Sequence, residues 1–292
     1  MTDGGAAAGL SGFVDLHTHS TASDGTLPPD QVVAAAHTAG VAAMALTDHD
    51  TLAGIPLATL TGQSLGVRVV PGVELSAHDG DDEIHILALH VTRLGLLESR
   101  LESFRADRYS RATMIVERLR GLGMDVTVEM VMEEAGDAAV GRPHIARAMI
   151  RAGSARDFRE AFDRYLGAGR PAFVPKPRLE VREAIAIAHE AGALAIWAHP
   201  GGEGRRARLE PLVEMGMDGV EVRHPSHMLE DVNRLAALTD FFGLVPSGGS
   251  DWHGSAEGPR MIGGMMIPYA WLEKQDALVA SRAQPAAQVV QS

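Results

Sequence analysis

Short apolar runs recur along this chain, and each breaks off into a polar cluster. Residues 13–16 are a strand candidate that passes straight into His17-Thr18-His19. Ser-Asp-Gly-Thr then reads as a turn, Pro28-Pro29-Asp30 opens a helix over 31–39, and Gly40 closes it. Residues 41–47 are the next apolar strand, ending at Asp48-His49-Asp50, with helical spacing around 54–60 after it. A third strand, 67–70, ends near Gly72-Val73-Glu74, and a fourth, 84–91, carries His85. Strand, polar turn, helix, strand is the pattern of a parallel sheet with helical crossovers. Barrels of that kind place their chemistry at the C-terminal edge of the strands.

The rhythm then stops. From 95 to 177 the residues are rich in Arg, Glu and Met at helical spacing, which predicts a helical insertion. Alternation resumes with a helix at 181–191, a strand at 193–198 ending at His199-Pro200, and a helix at 209–215. A strand at 219–222, a helix at 229–241 and a strand at 244–246 follow, and then Gly-Gly-Ser-Asp251-Trp-His253. The expected organisation is a flexible tail (1–12), a barrel built from 13–94 and 178–274, the insertion (95–177), and a loosely held tail (275–292) rich in Ala, Gln and Val.

Composition narrows the chemistry. A hydrophobic fraction of 46% over 292 residues suffices for a large core. The net charge of −12 argues against a broad face for duplex nucleic acid, while leaving room for a small phosphorylated substrate or a short single-stranded RNA end. With no cysteine, any metal must be held by nitrogen and oxygen. No run is apolar enough to span a membrane, and the first residues lack the pattern of a secretory signal, so a cytoplasmic location is expected.

Thirteen histidines are the unusual feature. His17 and His19 share one face of a strand, so their imidazoles can share a cation. One such pair proves little, since His-x-His arises by chance. But His49, Glu74, His85, His199, Asp251 and His253 also fall at or near strand ends, and Asp251-Trp-His253 repeats the alternate spacing. Rival motifs fail. His189-Glu190 is not continued to the spacing of a zinc protease, Gly201-Gly202-Glu203-Gly204 lacks the Lys-Ser/Thr of a phosphate loop, and there is no Gly-x-Ser-x-Gly.

The segment HTHSTASDGTLPPDQVVAAAHTAGVAAMALTDHDTLAG resembles the first two motifs of the PHP (polymerase and histidinol phosphatase) family. PGVELS, the His85 strand, AHPGG and GSDWHG resemble its later ones, in the family's order and over nearly the whole chain outside the insertion. The resemblance implies an α/β fold, a distorted (β/α)7 barrel, and a metal-dependent phosphoesterase with two to three divalent ions, Mn²⁺ favoured over Zn²⁺, Fe²⁺ or Mg²⁺. It further implies that His17, His19, Glu74 and Asp251 hold one metal, that Glu74 bridges to a second on His85 and His199, and that Asp24, His49 and His253 form a third site. Many relatives carry histidine where this chain has Asp24, and aspartate makes that site harder, suited to Mn²⁺ or Mg²⁺. Three such cations against Asp24, Glu74 and Asp251 leave roughly three positive charges, suited to a phosphate dianion and hydroxide.

Outside that shell, Arg142 and His144 in Gly-Arg-Pro-His are the candidate catalytic and substrate-binding residues, with an exposed loop as the plainer reading. Similar segments occur in stand-alone members of the family. Lys176, His224 and His227 are further substrate-binding candidates; loop histidines bonded to backbone are the alternative for the last two. Asp48 and Asp50 either orient a ligand imidazole or cap a turn. His37, His78, His90 and His189 read as structural or exposed. The Asp24 pattern and the insertion resemble the branch acting on nucleoside 3′,5′-bisphosphates and 5′ ends of short RNA (5′–3′ exoribonuclease), by metal-activated hydroxide. The alternatives are a histidinol-phosphate phosphatase and a non-catalytic metal- or nucleotide-binding module.

Overall fold

A computed structural model describes residues 12–136, 140–175 and 178–283. Residues 1–11 of the tail expected at 1–12, and residues 284–292, lie outside the described residues. The chain opens with β1 (Phe13–Thr18), α1 (Pro29–Thr38), β2 (Ala43–Leu46), α2 (Ile55–Leu65), β3 (Arg68–Asp79) and β4 (Asp82–Leu89). Pro29 sits in the first turn of α1, where its missing N–H costs nothing, and Gly66 ends α2 at φ +73°, the left-handed cap that glycine adopts without strain. The insertion contains α3 (Leu94–Gly121), α4 (Val128–Ala135), α5 (Arg142–Arg151), α6 (Phe158–Ala161) and a π-helical turn, Phe162–Leu166. The chain then forms α7 (Val181–Glu190), β5 (Leu194–Trp197), α8 (Arg206–Glu214), β6 (Gly219–Arg223), α9 (Leu229–Phe242), β7 (Val245–Gly248), β8 (Ile267–Pro268) and α10 (Tyr269–Ala283). Among the described residues no helix is long and apolar enough to cross a membrane.

The strands form one sheet in the order β7-β6-β5-β4-β3-β2-β1-β8. It curls until the segment after β7 meets β1: Asp251 N–H donates to His17 O at 2.9 Å, and His19 N–H donates to Trp252 O at 3.0 Å. Gly249 permits this near-closure, because a Cβ there would lie 2.5 Å from His17 Cβ. The result is the distorted α/β barrel expected, with one correction to its strand directions. β3 continues through Glu74 to Asp79, turns at Gly80 and pairs antiparallel with β4, which pairs antiparallel with β5. A two-residue connection can only reverse a strand; a parallel pairing there would need a crossover.

Alternation assigns the faces. Val73, Leu75, Ile86, Ala88, Ala195, Trp197, Val220 and Val222 pack with the outer helices. The intervening positions Val70, Leu87, Leu89, Leu194, Ile196 and Val245 form the barrel interior together with Tyr269 and Leu272 of α10. Following those inward series toward the other end gives Glu74, His85 and Glu221. The barrel is thus aliphatic at the end plugged by α10 and polar at the opposite edge. α10 also corrects the expectation of a loosely held tail from 275: Gln275 is fully buried and its side-chain NH₂ donates to Pro246 O at 2.9 Å.

The insertion carries its own core, including Ile115, Leu119, Val131, Ile145, Met149 and Leu166. One helix serves both cores. Leu97 and Leu101 of α3 belong to the barrel's core and Ala112 to Leu119 to the insertion's, so residue 95 is not where one packing unit gives way to the other.

Candidate active site

The polar edge of the barrel converges on one carboxylate. Glu74 Oε2 lies 3.1 Å from His17 Nε2, 3.1 Å from His19 Nε2 and 3.4 Å from His49 Nδ1. Its Oε1 lies 2.7 Å from His85 Nδ1 and 3.0 Å from His199 Nε2. His85 reaches this edge from the start of β4, because an antiparallel strand begins where its parallel neighbours end. Asp251 Oδ1 completes the Oε2 side, 3.4 Å from both His17 and His19. Burial alone would raise Glu74, but the surrounding imidazoles, His17 and His49 first, hold its carboxyl well below the usual range.

A second group adjoins the first. Asp24 Oδ1 is 3.2 Å from His253 Nε2 and 3.7 Å from His19 Nδ1, and Asp24 Oδ2 is 3.8 Å from His49 Nε2. His19 therefore stands between the groups, one ring nitrogen toward each. Its Nδ1 is buried and has no hydrogen-bond partner among the described residues. Two of the ligand candidates, His199 (φ +32°) and Asp251 (φ +50°), and Asp50 beside His49 (φ +52°), hold left-handed backbone that side chains rarely adopt.

These donors fit metal ions. His17 donates Nδ1–H toward Glu221, 3.2 Å from each of its oxygens, so that once the ring gives up its second proton the Nε2 lone pair is aimed into the cluster. There it meets His19 Nε2 at 3.1 Å. Imidazole lone pairs, carboxylates and one orphaned buried nitrogen, without sulfur, make a donor set for Mn²⁺, Zn²⁺, Fe²⁺ or Mg²⁺. All nine residues named from the sequence stand in or against these groups.

Glu221 was missed by the sequence reading. It is fully buried, and besides holding His17 it accepts the His199 N–H at 2.8 Å. The signal was faint: one acid in the apolar strand Gly219-Val-Glu-Val-Arg. Such carboxylate–histidine pairs fix ring orientation and basicity, so Glu221→Gln should weaken metal binding by about 10–100-fold. A competitive chelator titration checks this; unchanged affinity would make Glu221 a packing residue. Asp48, one of the two acids flanking His49, holds the loop after β1, accepting from Ser20 N–H (2.7 Å), Ser20 Oγ (2.7 Å) and Ser23 Oγ (2.7 Å). Asp50 pairs with Arg108 of α3, tying the insertion to the His49 loop.

The substrate candidates divide. Arg142 and His144 line a cavity of about 560 Å³ that also includes Asp24, His49 and His85. The Arg142 guanidinium lies over the rings of both Phe162 and Phe173, 5.8 and 5.7 Å from their centroids. His144 Nδ1 accepts the Gly141 N–H at 3.0 Å, so the neutral ring carries its proton on Nε2. Burial, and then Arg147, push its pKa down, which favours that neutral donor. Lys176 lies outside the described residues. Two expectations are corrected. His227 has both ring nitrogens committed to backbone, Nδ1 to Val222 O and Nε2 to Gly201 N, each at 3.1 Å. His224 is buried and off the cavity wall, with Nδ1 2.7 Å from Ser226 Oγ and Nε2 3.3 Å from Asp251 Oδ2, so it meets a ligand candidate instead of substrate.

Comparison with known proteins agrees with this arrangement. The family model described as PHP domain matches residues 15–168. The chain is 33% identical to the 3′,5′-nucleoside bisphosphate phosphatase of Chromobacterium violaceum, covering 86% of this chain and 90% of that one. It is 36% identical to the 5′-3′ exoribonuclease of Haemophilus influenzae, covering 82% and 89%. A solved structure from Bifidobacterium adolescentis, assigned as a metal-dependent phosphoesterase, superposes with a TM-score of 0.76 at 30% identity, covering 90% of this chain and 95% of that one.

Proposed function

The chain belongs to the PHP domain family, and from that footing we propose that this metal-dependent phosphoesterase hydrolyses nucleoside 3′,5′-bisphosphates or the 5′ ends of short RNA. The observation that carries the reading is one cavity that runs from the donor cluster at Asp24, His49 and His85 to the cations Arg108, Arg111 and Arg142. A phosphate at the cluster and a second phosphate at the arginines match the two ends. The relatives named as a bisphosphate phosphatase and an exoribonuclease support it.

Two to three divalent ions fit the donors: one on His17, His19, Glu74 and Asp251, one on Glu74, His85 and His199, and one on Asp24, His49 and His253. Bound there, such ions supply Lewis acidity, lowering the pKa of water and offsetting phosphoryl charge. The remaining work falls to side chains. Arg142, lying over two aromatic rings, offers a planar fork for two phosphate oxygens. His144 presents Nε2–H to the cavity as a hydrogen-bond or proton donor.

The test is phosphate release from a nucleoside 3′,5′-bisphosphate, a short 5′-phosphorylated RNA, histidinol phosphate and an aryl phosphate, each with Mn²⁺, Mg²⁺ and Zn²⁺. The nucleotide substrates should exceed the other two in kcat/KM. Preference for histidinol phosphate would transfer the protein to that activity. Metal uptake without turnover of any of them would make it a binding module.

A further inference from the structure

The part of the cavity wall formed with the insertion carries several arginines, and two of them are left without an acidic partner among the described residues. Among the described residues five arginines line the cavity. Three have acidic partners: Arg108 pairs with Asp50, Arg147 with Glu134 at 3.7 Å, and Arg178 with Asp81 at 2.9 Å. The other two, Arg111 and Arg142, have no carboxylate within ion-pair distance among the described residues. Arg111 is only 7% exposed, and its hydrogen bond is from Nε to Val174 O, at 2.8 Å. Arg142 donates to Leu166 O at 3.3 Å. Among the described residues both spend one donor on a neutral carbonyl and keep the rest of the guanidinium fork.

Beside them stands His78, 9% exposed, with neither ring nitrogen hydrogen-bonded among the described residues. Buried polar groups are almost always satisfied, so a buried imidazole with both nitrogens unpaired among the described residues, on a cavity wall, is suited to bond a ligand. Glu83, the acid on the same wall, is half exposed and 3.9 Å from His85 Nε2. Burial, and then the nearby charges of Arg142 and Arg108, outweigh the opposing pull of Glu83 and push Arg111 down to about 10, the direction expected where like charges are held together. A dianion among them would relieve both the repulsion and the unmet hydrogen bonds.

We propose that Arg111, Arg142 and His78 form the subsite for the non-reacting phosphate, the one not delivered to the metal donors, and that Arg111 sets the preference for a doubly phosphorylated substrate. This rests on the bisphosphate reading above and assigns its residues. Arg111 lies on α3 and Arg142 opens α5, so the subsite is supplied mainly by the insertion. His78, from β3, is the barrel's contribution.

The experiment compares kcat/KM for a nucleoside 3′,5′-bisphosphate with kcat/KM for an aryl phosphate in the same enzyme preparation. Their ratio cancels any loss of folded or metal-loaded protein, which matters because Arg111 is buried. Arg111→Gln should lower the ratio by about 30-fold, mostly through KM for the bisphosphate, as expected for a lost charge-assisted contact. Arg111→Lys should recover part of it, and His78→Phe, which fills the space without a donor, should lower the ratio by about threefold. A high wild-type ratio that Arg111→Gln leaves intact would overturn the subsite, even if both activities fall together. A wild-type ratio near one would overturn the bisphosphate reading itself. If Arg111→Gln changes only inhibition by free inorganic phosphate, the site takes product and the specificity role is rejected.

Discussion

Glu74→Gln should cost more activity than any other single change in the donor cluster, on the order of a thousandfold in kcat/KM, if the loss of Lewis-acid charge stabilisation amounts to several kcal/mol. Its two oxygens face different partners: His17, His19 and His49 on one side, His85 and His199 on the other. An amide keeps the shape, but it removes the negative charge and turns one acceptor into a donor that points at imidazole nitrogens. Both groups of donors lose their shared anion at once. Asp24→Asn is the internal control. Asp24 is half exposed and, of the candidate ligands, lies against His253, His19 and His49 and not between the two sides of Glu74, so its loss should cost about tenfold to a hundredfold. Elemental analysis beside kcat/KM decides the matter. A full metal complement in Glu74→Gln would reject the bridging role, whatever the activity does.

Removal of metal should abolish phosphate release while leaving the fold standing. The carboxylates at the site do not become bare buried charges when metal leaves, because imidazoles take up protons in its place. Burial works against charge on His19 and His85, but hydrogen bonds to Asp251 and Glu74 for the first, and to Glu74 and Glu83 for the second, raise both to about 9. At neutral pH each ring therefore carries a proton in the metal-free protein, and rebinding metal must expel it. Three outcomes follow. Circular dichroism should be unchanged after chelation, Mn²⁺ should restore activity, and apparent metal affinity should rise with pH up to about 9. Calorimetry in buffers of different ionisation enthalpy would count the released protons. Undiminished turnover in a verified metal-free sample would reject metal dependence.

The members of the His/Asp/Glu cluster were legible because polar residues at the ends of apolar strands have few reasons to be there. His17, His19, His49, His199, Asp251 and His253 all carry that mark. His85 was found on the same logic although its strand runs the other way; it sits at the beginning of β4, and the local pattern cannot tell a start from an end. Glu221 and Asp15 were illegible. Each is an acid inside a strand, which on a half-solvated sheet would be the exposed face. Asp15 is instead buried, accepting from Ser250 N–H at 2.9 Å and Gly263 N–H at 2.8 Å, partners more than two hundred residues away. The reversal of β4 hung on the tight turn at Gly80, and α10 on a long-range fit: Gln275 is buried because Pro246 O and His90 meet it. The subsite arginines needed the opposite information, since a surplus of charge shows only once every acid has been assigned a partner.

The continuity of α3 bears on how such enzymes can be recombined. Its 28 residues begin against the barrel and end inside the insertion, and between them Arg108 grips Asp50 beside His49. A chimaera that exchanged the insertion at residue 95 would replace Leu97 and Leu101, two members of the recipient's own core, along with the insertion's own helices. A splice placed after those residues and before Arg108, with the returning joint ahead of α7, would keep the barrel's hydrophobic set intact and move the arginines as a unit. On the subsite proposed above, substrate preference would then become a cassette that travels with the distal part of one helix.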